Sequence, residues 1–187
     1  KMKKTALISV YYKDGLLQFA KELIDRNFEI VSTGGTSKFL NENNIPVTTV
    51  ESITNFPEVL NGRVKTLHPG VFSGILAQKD NPEHIAQLEN HKLKSFDLVV
   101  VTLYPFAETI EKSDIKLEDA IEQIDIGGVS LIRAAAKNYS SVSVLVKLSQ
   151  YDEYLNEFDN TQGNISNVFS LKLASDAFTL ISKYDDE

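Results

Sequence analysis

The chain has 187 residues, 42% of them hydrophobic and 24% charged, with a net charge of −7 and no cysteine. That length suits one domain, or one domain with an appendage, and is enough to bury a core without cross-links. The composition excludes a disulfide framework, a thiolate metal site and a cysteine nucleophile, and it counts against a nucleic-acid surface, which is usually basic.

Taken in chain order, residues 5–10 (TALISV) form a short apolar run, followed by the helical pattern DGLLQFAKELIDR. FEIVS (28–32) is a second strand, TSKFLNENN (36–44) a helix, and PVTTV (46–50) a third, shorter strand. Residues 61–74 (NGRVKTLHPGVFSG) have neither a helical nor a strand period. PEHIAQLENHKL is a polar helix whose His84 and His91 belong to the surface. FDLVVVTLYPF holds the clearest strand, apolar from Leu98 to Leu103 without alternation, as expected where helices cover both faces of a parallel sheet. LEDAIEQI and SLIRAAAKNY read as helices, VSVLV (142–146) as the last strand, and residues 149–187 as helices only. The alternation predicts an α/β fold: a Rossmann-like three-layer sandwich with a mainly parallel sheet over residues 1–148, plus a C-terminal helical extension over 149–187. The polar DNTQGN is the one internal boundary, and the last helix ends without a capping signal, as if cut from a longer protein.

No apolar run nears the roughly 20 residues that cross a bilayer, so no membrane partner is expected. KMKKTALISVYY lacks the apolar centre and cleavage site of a signal peptide, and the expected location is the cytoplasm. The three histidines lack metal-ligand spacing, so no metal is expected.

In parallel sheets, ligands sit at the carboxyl ends of the strands, and the unusual residues fall there. In STGGTS, a strand ends at Ser32 and a helix begins near Ser37, with Gly34 and Gly35 letting backbone amides approach a ligand. A helix start adds unpaired N–H groups and partial positive charge, and Thr33 and Thr36 add hydroxyls. The turn is either an anion site or a helix-capping turn. Ser9 and Lys13, at the end of the neighbouring strand, can face the same anion, although Lys13 taken alone reads as a surface lysine. Arg63, Lys65 and His68 crowd into a Gly/Pro-bracketed loop that is an exposed turn or an anion site. Tyr104 can carry a hydroxyl to the same rim or simply pack there, and Pro105 ends the strand. Asp125 lies between two isoleucines, just before a Gly-Gly turn and a helix. A carboxylate in apolar company is either used or caps the helix. Arg133 and Lys137 follow on that helix, one turn apart on one face.

STGGT, GRVKTLHPG, LYPF and IDIGG…IRAAAKN occur together and in this order. In that combination the chain, from about Thr5 to its end, resembles the inosine monophosphate (IMP) cyclohydrolase domain of the bifunctional purine-biosynthesis protein, whose other half is the AICAR transformylase. STGGT alone is shared more widely, with methylglyoxal-synthase-like folds. The resemblance implies ring closure of 5-formamidoimidazole-4-carboxamide ribonucleotide (FAICAR) to IMP with loss of water, without a cofactor. It implies catalytic roles for Lys65, Tyr104, Asp125 and Lys137. It also implies substrate or phosphate contacts from Ser9, Lys13, Thr33, Gly34, Gly35, Thr36, Arg63, Thr66, Thr102, Ile126 and Gly127. A homodimer and a covalently linked transformylase domain in the parent protein are further expectations. Three positions depart from the family pattern. Tyr11 replaces a small hydroxyl residue, Thr102 an asparagine, and Val129 a proline. Two alternatives use the same fold, a regulatory nucleotide- or phosphate-binding module and a methylglyoxal-synthase-type lyase. The cyclisation set, and the extended GRVKTLHPG loop with the added helices, weigh against them.

Overall fold

The computed structural model describes residues 3–110 and 116–187. Among these residues, five strands form one sheet: β1 (Lys4–Val10), β2 (Phe28–Ser32), β3 (Thr48–Thr49), β4 (Leu98–Thr102) and β5 (Ser143–Leu145). Their order is β3-β2-β1-β4-β5 and every pairing is parallel. From β1 the chain builds outward to β2 and β3, then returns to place β4 on the other side of β1. That reversal opens a crevice above the carboxyl ends of β1 and β4.

The helices are α1 (Leu16–Asp25), α2 (Gly34–Glu42), α3 (Val50–Thr54), α4 (Pro69–Leu76), α5 (Pro82–Asn90), α6 (Phe106–Ile110), α7 (Leu117–Glu122), α8 (Gly127–Lys137), α9 (Gln150–Asn160) and α10 (Asn167–Asp186). Right-handed crossovers place α1 and α8 on opposite faces. α9 packs with α1, and α4 and α10 pack with α8. Leu98, Val99, Val100 and Val101 are buried, as the unbroken apolar run requires of a strand covered on both sides. Tyr154, Phe158, Leu173, Ala177 and Ile181 of α9 and α10 join the same continuous core as Leu7, Ile8 and Val100. The α/β expectation therefore holds.

Local chemistry moved several boundaries. β3 keeps only two of the five residues expected, because the Thr49 hydroxyl accepts the Ser52 N–H at 3.2 Å and starts α3. The aperiodic loop yields a helix from Pro69, whose missing N–H costs nothing at a first helical position. His68 caps it, its Nδ1 accepting the Gly70 N–H at 3.0 Å. α8 starts at Gly127, three residues earlier than its apolar pattern indicates. The last helix, α10, runs unbroken over 20 residues, capped by the Ser166 hydroxyl on the Phe169 N–H.

Candidate active site

The crevice is built from four turns. The first joins β2 to α2. Thr33 is extended and Gly34 takes φ +55°, a left-handed conformation suited to glycine, after which α2 begins. The two threonine hydroxyls are already engaged. Thr36, 4% exposed, donates to the Val10 carbonyl and accepts the Val10 N–H, both at 3.0 Å. It ties the start of α2 to the end of β1. Thr33 donates to Glu51 at 3.0 Å. In this structure both hydroxyls, expected to face an anion, have protein partners and hold the turn. What the turn offers a ligand is backbone, at the N-terminus of a nine-residue helix. A β-carbon on Gly35 would meet nothing within 4 Å, so this face is open.

The second turn follows β1. Lys13 does not extend into the crevice but folds back, its ammonium donating to the Val10 carbonyl and, at 3.0 Å, to that of Tyr11. Burial pulls its pKa below the usual lysine value. Ser9 lies half-buried opposite Val101 in the β1–β4 register. The Tyr11 N–H donates to the Thr102 hydroxyl at 2.8 Å, and the Tyr11 and Tyr104 rings lie 5.1 Å apart. Two departures from the family pattern therefore touch each other and hold β1 to β4 at the rim.

The third turn carries residues 63–66. The Lys65 side chain crosses two glycines: a β-carbon on Gly34 would lie 3.2 Å from its Nζ, and one on Gly62 2.8 Å from its Cε. Glu58 is 3.9 Å from the Lys65 ammonium. Thr66 is buried, with its Oγ1 3.3 Å from where a Gly127 side chain would begin. Arg63 points elsewhere, making a two-pronged exposed pair with Glu122 of α7 at 3.1 and 2.9 Å. Glu122 was not foreseen, since nothing in its local pattern marks it.

The fourth turn, between α7 and α8, presents Asp125. One carboxylate oxygen accepts the Gly128 N–H at 2.7 Å, and the carboxylate also takes the Tyr104 N–H. Burial raises the Asp125 pKa above the usual carboxyl value, opposed by these two N–H groups and by the charge of Lys65. The Asp125 backbone N–H donates to the Tyr184 hydroxyl of α10 at 2.9 Å, a contact across 59 residues that sequence reading missed. Ile126 is exposed and Gly127 opens α8 beside Thr66.

Contacts thus link the turns: Lys65 lies against Gly34, its charge acts on Asp125, the Asp125 carboxylate takes the Tyr104 N–H, and Thr66 lies beside Gly127. Lys137 does not join them within one chain. It is exposed in the last turn of α8, about 15 Å along the axis from the first turn beside Asp125. Arg133 faces α10, its guanidinium 5.7 Å from the centre of the Phe178 ring. Among the described residues, no group of acids and histidines could hold a metal ion, and no helix is long and apolar enough to cross a membrane.

Residues 15–130 match the model of the MGS-like domain. The chain belongs to the MGS-like domain family. Beyond that domain, residues 135–187 match the AICARFT/IMPCHase bienzyme family. Similar curated proteins include the bifunctional purine biosynthesis protein PurH of Polynucleobacter asymbioticus, 48% identical over 98% of this chain and 35% of that protein. PurH of Caldicellulosiruptor saccharolyticus is 49% identical over 98% of this chain and 36% of that protein. PurH of Prochlorococcus marinus is 52% identical over 98% and 35%. The chain spans about a third of the length of these relatives. A crystal structure described as that of ForH superposes with a TM-score of 0.86 at 28% identity, covering 98% of this chain and 93% of that one. The bienzyme match takes in the last turn of α8 and all of β5, α9 and α10, so the helical extension is part of the likeness.

Proposed function

We propose that this MGS-like domain is an IMP cyclohydrolase, closing the pyrimidine ring of FAICAR to give IMP and water. The carboxamide nitrogen attacks the formyl carbon of the same molecule. The carboxamide nitrogen loses a proton, the formyl oxygen becomes first an alkoxide and then a hydroxyl, and that hydroxyl takes up a further proton and leaves as water while the former formamide nitrogen gives up its own proton to form the ring C=N bond. Both reacting groups arrive on one ligand, so the protein's work is alignment, charge stabilisation and proton transfer.

Asp125 is the acceptor for the carboxamide N–H. Its raised pKa makes the carboxylate a stronger base than an exposed one, and its two N–H donors fix its orientation. Lys65 stabilises the developing oxyanion and supplies the proton that lets hydroxide depart. Tyr104 presents a partly exposed phenol at the same rim and closes the base side of the crevice. The 5′-phosphate binds the backbone amides of Gly34, Gly35 and Thr36 at the start of α2, with Thr66, Ile126 and Gly127 lining the ribose and base. Thr33, Thr36 and Thr102 act by holding these turns. Ser9 adds a phosphate contact from the end of β1, whereas Lys13 and Arg63 reach a ligand only by leaving their present partners. Lys137 takes part only if a second copy of the chain supplies it, which is the sense in which a homodimer is proposed. The chain is the cyclohydrolase part of a longer cytoplasmic protein that also carries a transformylase.

One observation carries this reading. The Lys65 ammonium lies against Gly34, and its charge also acts on the Asp125 carboxyl, which supports reading it as a cation between an anion cradle and a base. Incubating the chain with FAICAR and following the absorbance of IMP tests it. Product must appear faster than in buffer, and thermal stabilisation must be greater by IMP than by dihydroxyacetone phosphate. A larger shift with the triose phosphate favours the lyase, and nucleotide binding without turnover favours a sensor. Mixing Lys65→Ala with Lys137→Ala recovers activity if Lys137 acts across a dimer, and recovers none if it does not.

A further inference from the structure

The turn that holds Asp125 is not supported by α8 alone. Its backbone N–H finds its acceptor on the C-terminal helix, in the Tyr184 hydroxyl at 2.9 Å. The Tyr184 ring stands edge-on to Phe106, with ring centres 6.4 Å apart. It also lines a cavity of ≈450 Å3 together with Thr102, Tyr104, Leu148 and Leu180. Tyr104 is thus a wall shared by this cavity and by the crevice, and its own N–H binds the Asp125 carboxylate. Asp125 is consequently fixed from three directions: its carboxylate by the start of α8 and by the end of β4, its main chain by α10.

We infer that Tyr184 is a positioning residue for the ring closure, setting through its hydroxyl the place of the Asp125 main chain and hence the aim of the carboxylate. It touches no reacting atom. It gives the C-terminal helix a share in catalysis, beyond closing the core. The physical ground is the steep dependence of proton transfer on geometry: a catalytic group displaced by about 1 Å can lose about 100-fold in rate. A main-chain N–H that loses its acceptor in a partly buried turn moves to find water. The inference rests on Asp125 serving the proposed cyclisation.

The test is Tyr184→Phe, which keeps the ring against Phe106 and removes only the hydroxyl. The expected result is a kcat about tenfold or more below that of the unsubstituted chain, with KM within about twofold and a melting temperature nearly unchanged. Amide hydrogen exchange, read by NMR, is expected to accelerate at Asp125 and not across α10. Tyr184→Leu serves as the packing control and is expected to lower the melting temperature as well. Unchanged kcat in Tyr184→Phe, or a fall matched by general loss of stability, overturns the inference. If the unsubstituted chain closes no ring, the functional reading has failed instead. The exchange measurement then still decides whether Tyr184 holds the Asp125 turn.

Discussion

The β2–α2 turn and the α7–α8 turn bracket the same crevice and solve opposite problems. At the first, the reactive-looking side chains are spent on the fold. Thr36 is bound to both main-chain groups of Val10, Thr33 to Glu51, and the surface left for a ligand is peptide backbone. At the second, the backbone is spent and the side chain is offered. The Asp125 main chain is tied to Tyr184, and its carboxylate is oriented by two N–H groups and kept basic by burial. A backbone site is sensitive to the volume of its glycines. A side-chain site is sensitive to the charge of one atom group.

The sharpest way to break the comparison is to remove that charge. Asp125→Asn is expected to lower kcat by about 100-fold or more with little change in KM, as befits the loss of a general base. A rise in KM at normal kcat overturns the assignment. The same variant has an opposite effect on stability. The folded-state pKa of Asp125 lies above its unfolded value, so the folded form holds its proton more tightly. Folding stability from this group therefore falls as pH rises from the ordinary carboxyl range through the raised pKa. Thermal melts should find Asp125→Asn more stable than the parent at neutral pH, with the gain vanishing in acid.

Volume is the next test, at the other turn. Gly35→Ala meets no protein atom, so the melting temperature should hold while KM rises about tenfold, because the methyl group enters the space assigned to the phosphate. Unchanged KM would move the phosphate elsewhere. Thr36→Val should behave differently, losing about 1–3 kcal/mol of stability as the buried Val10 groups lose their partner, while Thr36→Ser keeps most of it. Denaturant titration reads that loss, and a Thr36→Val protein as stable as the parent would show that the hydroxyl is not holding the turn. The smallest effect belongs to Arg63→Ala. Its pair with Glu122 is solvent-exposed, so melting should stay within experimental error. A change in KM there would mean that Arg63 leaves Glu122 for the substrate.

The scaffold was legible wherever one local rule dominated. The apolar run from Leu98 to Leu103 announced a strand covered on both faces, and the strand followed by Gly34 and Gly35 announced the turn at the crevice. Asp125 stood out because a carboxylate among isoleucines needs a reason, and its burial supplies one. What stayed hidden depended on partners distant in sequence. Thr36 reads as a ligand donor until Val10, 26 residues away, takes both its bonds. Arg63 reads as an anion fork until Glu122 fills it. The helix at Pro69 needs the His68 ring as its cap, which no period reveals. The i, i+4 spacing correctly put Lys137 one turn beyond Arg133 but said nothing about which end of the sheet that turn occupies.

The most direct measurement of the central claim is a crystal structure of this chain with IMP bound. The account predicts the 5′-phosphate on the amides of Gly34, Gly35 and Thr36, the newly closed ring edge against Asp125, and the Lys65 ammonium between them. IMP seated anywhere else, including the cavity beside Tyr184, with the Lys65–Asp125 crevice left empty, would contradict it.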